Sequence, residues 1–282
     1  MSPAATGTLY VVATPIGNLE DITARALRIL GEVDLVAAED TRHTRKLLNH
    51  FSITTRMLSL HEHNEAQRAS ELIEKLQDGA SIALVSDAGT PCISDPGYRL
   101  VAACRDAGIP VASVPGPAAL TTAMSIAGLP SDRFSFCGFL PAKKGARQRE
   151  LEGYRGRSET LLFYEAPHRL LATLSDMHEV FGGECQAAVA RELTKLHEEV
   201  VRGTLDEVHE ELSARDRVRG EIVILLVPSG EETSDVDLDT VLLQRLAEDD
   251  GPPKQIAKEV AKEMGLSGSD VYQRYLELKG QT

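Results

Sequence analysis

Tryptophan is absent and aromatic residues make up only 4% of the chain, so stacking successive bases on aromatic platforms is a poor basis for recognition. No apolar stretch approaches the ~18–20 residues needed to cross a bilayer. The start, MSPAATG, has neither a basic n-region nor an apolar h-region. The expectation is a soluble, cytoplasmic protein without membrane contact. Cys92, Cys104, Cys137 and Cys185 are scattered, with no CxxC pair and no histidine at metal-ligand spacing. Reduced thiols are therefore expected, with neither a disulfide framework nor a metal site. There is no G-x-x-x-x-G-K-[ST], and no G-x-G-x-x-G opens a helix, so triphosphate and dinucleotide sites lack their mechanics.

The 282 residues carry a formal charge of −13, which argues against non-specific attraction to nucleic acid and confines any RNA contact to local basic patches. Two such patches exist. Arg42, Arg45 and Lys46 form the first, and Arg133, Lys143, Lys144, Arg147, Arg149, Arg155 and Arg157 the second.

From Thr8, strand-like runs such as TLYVVA, VDLVAAE, IALVSD and PVASVP alternate with helical runs. Their near-continuous Val, Leu, Ile and Ala content suits a mainly parallel sheet covered on both faces. Gly31, Gly79, Gly108 and Gly128 follow helical runs and are expected as left-handed C′ residues. After Leu129 the strands come closer together, and EVVRGTL suits antiparallel pairing in a mixed sheet. SGEETSDVDL is a polar linker, followed by three short helical segments with Pro253 near a helix start and Ser269 as a cap. This gives residues 1–130 as an N-terminal α/β domain with ligand loops, 131–229 as a second α/β domain closing the cleft, and 230–282 as linker and helical tail.

In an open α/β sheet, ligands sit beyond the carboxyl ends of strands. Three Pro/Gly-rich turns fall there: ATPIGNLEDIT, SDAGTPCISDPG and VPGPAAL. Proline fixes the backbone and glycine permits close approach, so together they predict a rigid, backbone-lined cleft.

TPIGNLEDIT, AAEDTRHTRKLL, SLHEHNE, VSDAGTPCISDPG, VPGPAAL, GFLPAKKGARQRE, FYEAPHR and ARELTKLHEE stand in the order and spacing of the tetrapyrrole methylase superfamily, from about Leu9 to Val227. Within it the chain resembles the branch that modifies ribosomal RNA. The resemblance implies a two-domain fold with S-adenosylmethionine in the interdomain cleft, homodimerisation, and 2′-O-methylation of a cytidine in the decoding region of 16S rRNA in the small ribosomal subunit. Carried over block by block, it places Pro15 and Gly17 at the cofactor, with Asp87, Ala88, Gly89 and Thr90 beside them. Ala118, Ala119, Glu165 and Ala166 complete the set. Ala88 stands where the porphyrin-precursor branch commonly has proline.

Methyl transfer to a hydroxyl calls for alignment, exclusion of water, and a proton acceptor or a cation near the nascent oxyanion. The candidates are Glu39, Arg42 and Lys46, with Arg42 and Lys46 on one helical face, and Glu165 and Arg191 from the second domain. His168, Glu192 and Lys195 stand near them in sequence. His61 and His63, at i, i+2 in a strand, would point the same way, but they lack a third ligand. Three alternatives stay open: a small-molecule methyltransferase of the tetrapyrrole branch, a nucleotide-dependent oxidoreductase, and a non-enzymatic RNA-binding factor using its tail. In that tail Lys254, Lys258 and Lys262 share a helix face, while Ile256, Val260 and Leu266 could equally dock it on its own dimer.

Overall fold

The computed structural model describes residues 6–61, 63–228, 238–248, 252–264 and 267–279. The linker run of residues 229–237 and the side chains of Lys262 and Leu266 lie outside them.

The first half alternates β1 (Leu9–Val12), α1 (Ala24–Glu32), β2 (Leu35–Ala38), α2 (Thr41–His50), β3 (Met57–Ser59), α3 (Glu65–Gln77), β4 (Ile82–Val85), α4 (Tyr98–Asp106), β5 (Val111–Val114) and α5 (Ala119–Ile126). Its five strands are all parallel, in the order β3-β2-β4-β1-β5. The four residues of β4 are all buried because both faces are covered. Ile82 and Leu84 pack with Leu72, Leu76 and Leu100 on one face, and Ala83 and Val85 pack with Ile29, Leu30 and Leu48 on the other.

Local chemistry sets the helix starts. The Thr23 hydroxyl accepts from Ala26 N at 3.0 Å and opens α1, and an Asp40 oxygen accepts from Arg42 N at 2.8 Å and opens α2. The α4 terminus is capped from outside. Buried Glu65 of α3 receives the N–H groups of Gly97, Arg99 and Leu100 on one oxygen at 3.1, 2.9 and 3.3 Å.

Two expectations change here. Gly79, Gly108 and Gly128 are left-handed, but Gly31 is not. It lies inside α1, which runs on to Glu32 because burying Leu30 and Val33 outweighs the ~1 kcal/mol cost of a helical glycine. His61 and His63 fall after β3 has ended, in the turn before α3, with ring planes 68° apart. The strand argument for a shared direction therefore lapses.

The second sheet comprises β6 (Phe134–Phe139), β7 (Thr160–Glu165), β8 (Gln186–Arg191), β9 (Glu199–Thr204) and β10 (Ile222–Val227), with α6 (Lys144–Glu152), α7 (Leu170–Phe181) and α8 (Leu205–Ser213) between them. Its order is β6-β7-β10-β8-β9. The β6–β7 pair is parallel and the others antiparallel, the mixed sheet that the charge-bounded strands predicted. Val223 and Leu225 face α5 residues Ala123 and Met124, while Ile224 and Leu226 are buried on the other face.

Residues 238–279 form helices of their own: α9 (Leu238–Glu248), α10 (Pro253–Met264) and α11 (Gly268–Lys279). Leu242, Ile256, Val260, Val271 and Tyr275 make their shared core. Pro253 is the first residue of α10, as expected. Ser269 is not a cap, since α11 begins one residue earlier. No described helix is long and apolar enough to cross a membrane.

Candidate functional site

Both sheets contribute strand ends to one cavity. In the parallel sheet all carboxyl ends share an edge, so the loops after β1, β4 and β5 meet there. In the mixed sheet, β7 and β8 run antiparallel to β10, which brings the ends of β7 and β8 beside the start of β10. The result is a cavity of about 400 Å³, the size of a small-molecule site.

One wall is Ile16, Ala88, Gly89, Thr90, Ile93, Ser94, Asp95, Ala118 and Ala119. The other is Phe139, Tyr164, Glu165, Ala166, Pro167, Leu193 and the stretch from Gly220 to Val223. Gly89 sits at φ +79°, and its N–H and C=O pair with Thr14 at 3.0 and 2.8 Å. Glycine alone takes this turn without strain, and the pairing fastens the β4 loop to the β1 loop. The Thr90 hydroxyl donates to Pro117 O at 3.0 Å and ties in the β5 loop. Three loops are thus locked into a wall of backbone and small side chains.

Of the residues singled out in the sequence, Ala88, Gly89, Thr90, Ala118, Ala119, Glu165 and Ala166 line this cavity, whereas Pro15, Gly17 and Asp87 do not. Pro15 and Gly17 flank the lining residue Ile16. Asp87 braces the loops instead: its carboxylate accepts from Asp40 N at 3.0 Å, and its own N–H donates to Glu39 at 3.3 Å.

The catalytic candidates separate further. Glu165 is buried, accepting from Ala166 N at 2.7 Å and from the Thr173 hydroxyl at 2.6 Å, with Arg169 at 3.2 Å. Its carboxylate holds the turn into α7. Arg191 is absent from the cavity wall. Its Nε donates across the β8–β9 register to Glu199 at 2.6 Å, so it fastens the sheet end. Arg42 and Lys46 are exposed on α2. Arg42 is 89% exposed even while paired with Asp40 at 2.6 Å, a pairing that holds Asp40 far below the usual carboxylate range through side-chain hydrogen bonds. Glu39 is half-buried, and burial raises its pKa.

Sequence reasoning missed Asp95, Tyr164 and the Gly220–Val223 wall. Tyr164 stood near the end of a strand-like run inside a quoted motif, a signal that could have found it, whereas Asp95 stood in the SDPG turn before α4. Burial, with Glu39 and Asp87 nearby, pushes Asp95 up to about 6. Burial also raises Tyr164, whose ring meets Phe136 and Phe139 edge-on at 4.8 and 5.6 Å.

The mid-chain basic patch is smaller than its sequence suggests. Arg147 is buried, with Nε 2.6 Å from buried Asp176, and Lys144 pairs with Glu179 at 2.8 Å. His61 Nε2 lies 3.1 Å from Asn64 Nδ2. Among the described residues no three His, Cys, Asp or Glu converge as metal ligands. The four cysteines are free thiols.

A parallel sheet and a mixed sheet enclosing a strand-end cavity define a class of protein. Residues 8–209 match the family described as Tetrapyrrole (Corrin/Porphyrin) Methylases, and the chain belongs to that family. The uroporphyrin-III C-methyl transferase of Thermus thermophilus, solved complexed with S-adenyl homocysteine, has the same fold at a TM-score of 0.55 and 19% identity, covering 78% of this chain and 97% of its own.

Within the family, this chain's relatives are proteins named Ribosomal RNA small subunit methyltransferase I. The one from Pseudomonas aeruginosa is 49% identical over 98% of this chain and 99% of its own length. The one from Vibrio cholerae is 55% identical over 77% and 76%. Residues 232–279 match the RsmI C-terminal HTH domain.

Proposed function

We propose that the chain transfers the methyl group of S-adenosylmethionine to the ribose 2′-hydroxyl of a cytidine in 16S rRNA of the small ribosomal subunit, acting in the cytoplasm as a homodimer. The observation that carries the donor half is the charge of the cavity wall. Its described lining holds three carboxylates, Asp95, Glu165 and Glu221, and no Lys, Arg or His. Arg169 and Lys195 offset Glu165 and Glu221, which leaves Asp95 as the carboxylate without an ion-pair partner among the described residues. A wall so charged suits a sulfonium better than the phosphates of ATP or a dinucleotide. Ala88, Gly89, Ala118, Ala119 and Ala166 let the backbone approach a flat adenosyl group closely. The acceptor half draws on the named activity of the relatives.

When bound, S-adenosylmethionine supplies an electrophilic methyl carbon for in-line displacement, and the positive charge on its sulfur is lost. The chain's residues align the partners and exclude water, because both walls are built on strand ends and the first is locked by the Thr14–Gly89 and Thr90–Pro117 contacts. Asp87 sets the β4 loop indirectly, by bracing it against Asp40. Arg42 and Lys46, exposed one turn apart on α2, meet acceptor phosphates. Glu39 at the foot of that helix accepts from Asp87 N and so helps brace the β4 loop, Glu165 fixes Ala166, and Arg191 fixes the β8 end. In this reading residues 1–130 are the cofactor-loop domain, 131–229 the closing domain and 230–282 the linker and substrate-engaging tail.

The test combines two measurements. Calorimetry should register S-adenosylmethionine and neither ATP nor NADH. Incubation of the purified chain with unmodified small subunits and labelled donor, followed by nuclease digestion and mass spectrometry, should then find one 2′-O-methylcytidine. ATP binding without donor binding, or a methyl group on a base, would overturn the reading.

A further inference from the structure

Strand β6 is irregular where it reaches the cavity. Phe136 pairs with Leu162 and Phe139 with Tyr164, so three steps along β6 are matched by two along β7. This is a bulge of one residue, and Gly138 suits it, being left-handed at φ +67°. In an unbroken strand, residues three apart point to opposite faces. The extra residue puts both rings on one side, where Phe136 and Phe139 meet Tyr164 edge-on at 4.8 and 5.6 Å.

The two phenylalanines differ in what covers them. Phe136 and Tyr164 pack against the core formed with Leu162, Val223 and Leu225. Phe139 stands outside that core, on the cavity wall and 56% exposed, in a chain with only six phenylalanines and no tryptophan. Ile93, 36% exposed, belongs to the other wall. The bulge draws the two toward one another, since a Cβ on Gly138 would stand 3.6 Å from the hydroxyl of Ser94, the neighbour of Ile93. The cavity's two most exposed large apolar side chains thus share one end of it, where it opens to solvent.

We infer that Phe139 is the platform on which the acceptor nucleotide's pyrimidine base stacks while its ribose reaches the donor. The inference rests on the function proposed above. A ring left half bare at a cavity mouth suits another flat face, and donor and acceptor each bring one. Position favours the acceptor. The small residues Gly89, Ala118, Ala119 and Ala166 accommodate the adenosyl group, whereas a base carried on a ribosomal subunit arrives from solvent, the side to which Phe139 is open. One ring suffices for one nucleotide. Stacking tolerates every base, so Phe139 holds the acceptor unstacked from its own strand without selecting its identity.

The experiment measures single-turnover methylation of unmodified small subunits by wild type, F139L, F139Y and F139W, each paired with calorimetry of S-adenosylhomocysteine. F139L keeps an apolar side chain without a ring. At limiting subunits it should be slower by roughly 10–100-fold, the worth of one stacked base. Its S-adenosylhomocysteine affinity and thermal midpoint should hold, and F139Y should restore most of the rate. F139W labelled with 5-hydroxytryptophan carries that fluorophore at position 139 alone, because the chain has no other tryptophan. Excited apart from the subunit's own tryptophans, it should be quenched when donor-loaded enzyme meets subunits, which preserves the test if F139L folds poorly. An F139L rate equal to wild type, or quenching by S-adenosylhomocysteine with none on adding subunits, overturns the inference and leaves the function standing. So does an F139L whose only defect is weakened donor affinity, which would give the ring to the adenine. A wild-type chain that methylates no subunit overturns the function and the inference together.

Discussion

The backbone N–H of Asn18 donates to the Thr194 hydroxyl at 3.1 Å, joining positions 176 residues apart. The contact binds the loop after β1 to the loop after β8. Gly17 makes it possible, since a Cβ there would stand 2.5 Å from Lys195 Cγ and 2.9 Å from the Thr194 hydroxyl. Lys195 cannot simply swing aside, being held by Glu192 at 2.8 Å and Glu221 at 3.1 Å. Gly17→Ala should therefore part the loops and shift Ile16 and Glu221 on the cavity wall. Overpacking of this kind costs about 1–3 kcal/mol, which predicts roughly tenfold weaker donor binding and a melting point lower by several degrees. Unchanged affinity by calorimetry would mean that the contact does not shape the cavity.

Buried Arg147 and Asp176 make the second prediction. The guanidinium Nε lies 2.6 Å from Asp176 Oδ2, Gln148 approaches the other oxygen at 3.2 Å, and Lys144 stands 3.6 Å away. Removing one member of such a pair strands the other charge in a low dielectric and costs about 3–5 kcal/mol, whereas an apolar replacement of both is far milder. Asp176→Ala should lower the urea midpoint strongly, and the double variant Arg147→Met with Asp176→Leu should recover most of the loss. The same variants should leave affinity for small subunits unchanged, because Arg147 faces the core. A subunit-binding defect in the folded double variant would return Arg147 to the RNA surface.

The strand-end loops were legible in the sequence because Pro and Gly mark tight turns wherever they fall, and the runs before them are apolar enough to be buried strands. What stayed hidden depends on pairing between distant segments. IVILLV announces a strand buried on both faces, yet nothing local places β10 between β7 and β8, which is what carries Gly220 to Val223 onto the cavity wall. Glu165 read as a free carboxylate because its partner Thr173 lies eight residues on, across the start of a helix. Arg147 read as part of a basic face because Asp176 belongs to another helix. Asp95 escaped notice for the opposite reason: in SDPG an aspartate is the expected turn former, and only the fold shows its side chain at the cavity.

Glu199 gives a pH dependence. Hydrogen bonds from Arg215 first, then Arg191, hold its carboxyl at about 2 against an ordinary value of 4.5. A depressed carboxyl contributes its stability fully above the unfolded value and loses it as pH falls toward the folded one. The contribution should thus be intact above about 4.5 and drain away between 4.5 and 2. Its side chain is 33% exposed, so solvent reduces the effect. Glu199→Gln should lower the urea midpoint at neutral pH and flatten its dependence across that acid window. Parallel curves for the two proteins would show that the cluster adds nothing to acid stability.

The tail yields the last prediction. Its helices bury Leu242, Ile256, Val260, Val271, Tyr275 and Leu278 among themselves, and Arg274 reaches from α11 to Asp239 of α9 at 2.5 Å. The second sheet, for its part, is completed by β10, which ends at Val227. Each half therefore has its own core, and a chain ending at Pro228 should fold and bind donor within about twofold of full length. Lys254 and Lys258 lie exposed one turn apart on α10, with Glu259 exposed beside them, while Ile256 and Val260 turn inward, so the two lysines are the groups there that suit phosphates. Truncation should accordingly raise KM for small subunits at least tenfold. The full-length variant carrying Lys254→Glu and Lys258→Glu should reproduce much of that loss and weaken the salt dependence of binding, since each phosphate contact contributes to the slope. Size-exclusion chromatography decides between recognition and architecture. A truncated protein that keeps its oligomeric state and donor affinity but loses subunits assigns the tail to recognition, whereas one that changes oligomeric state or aggregates makes the tail a structural element.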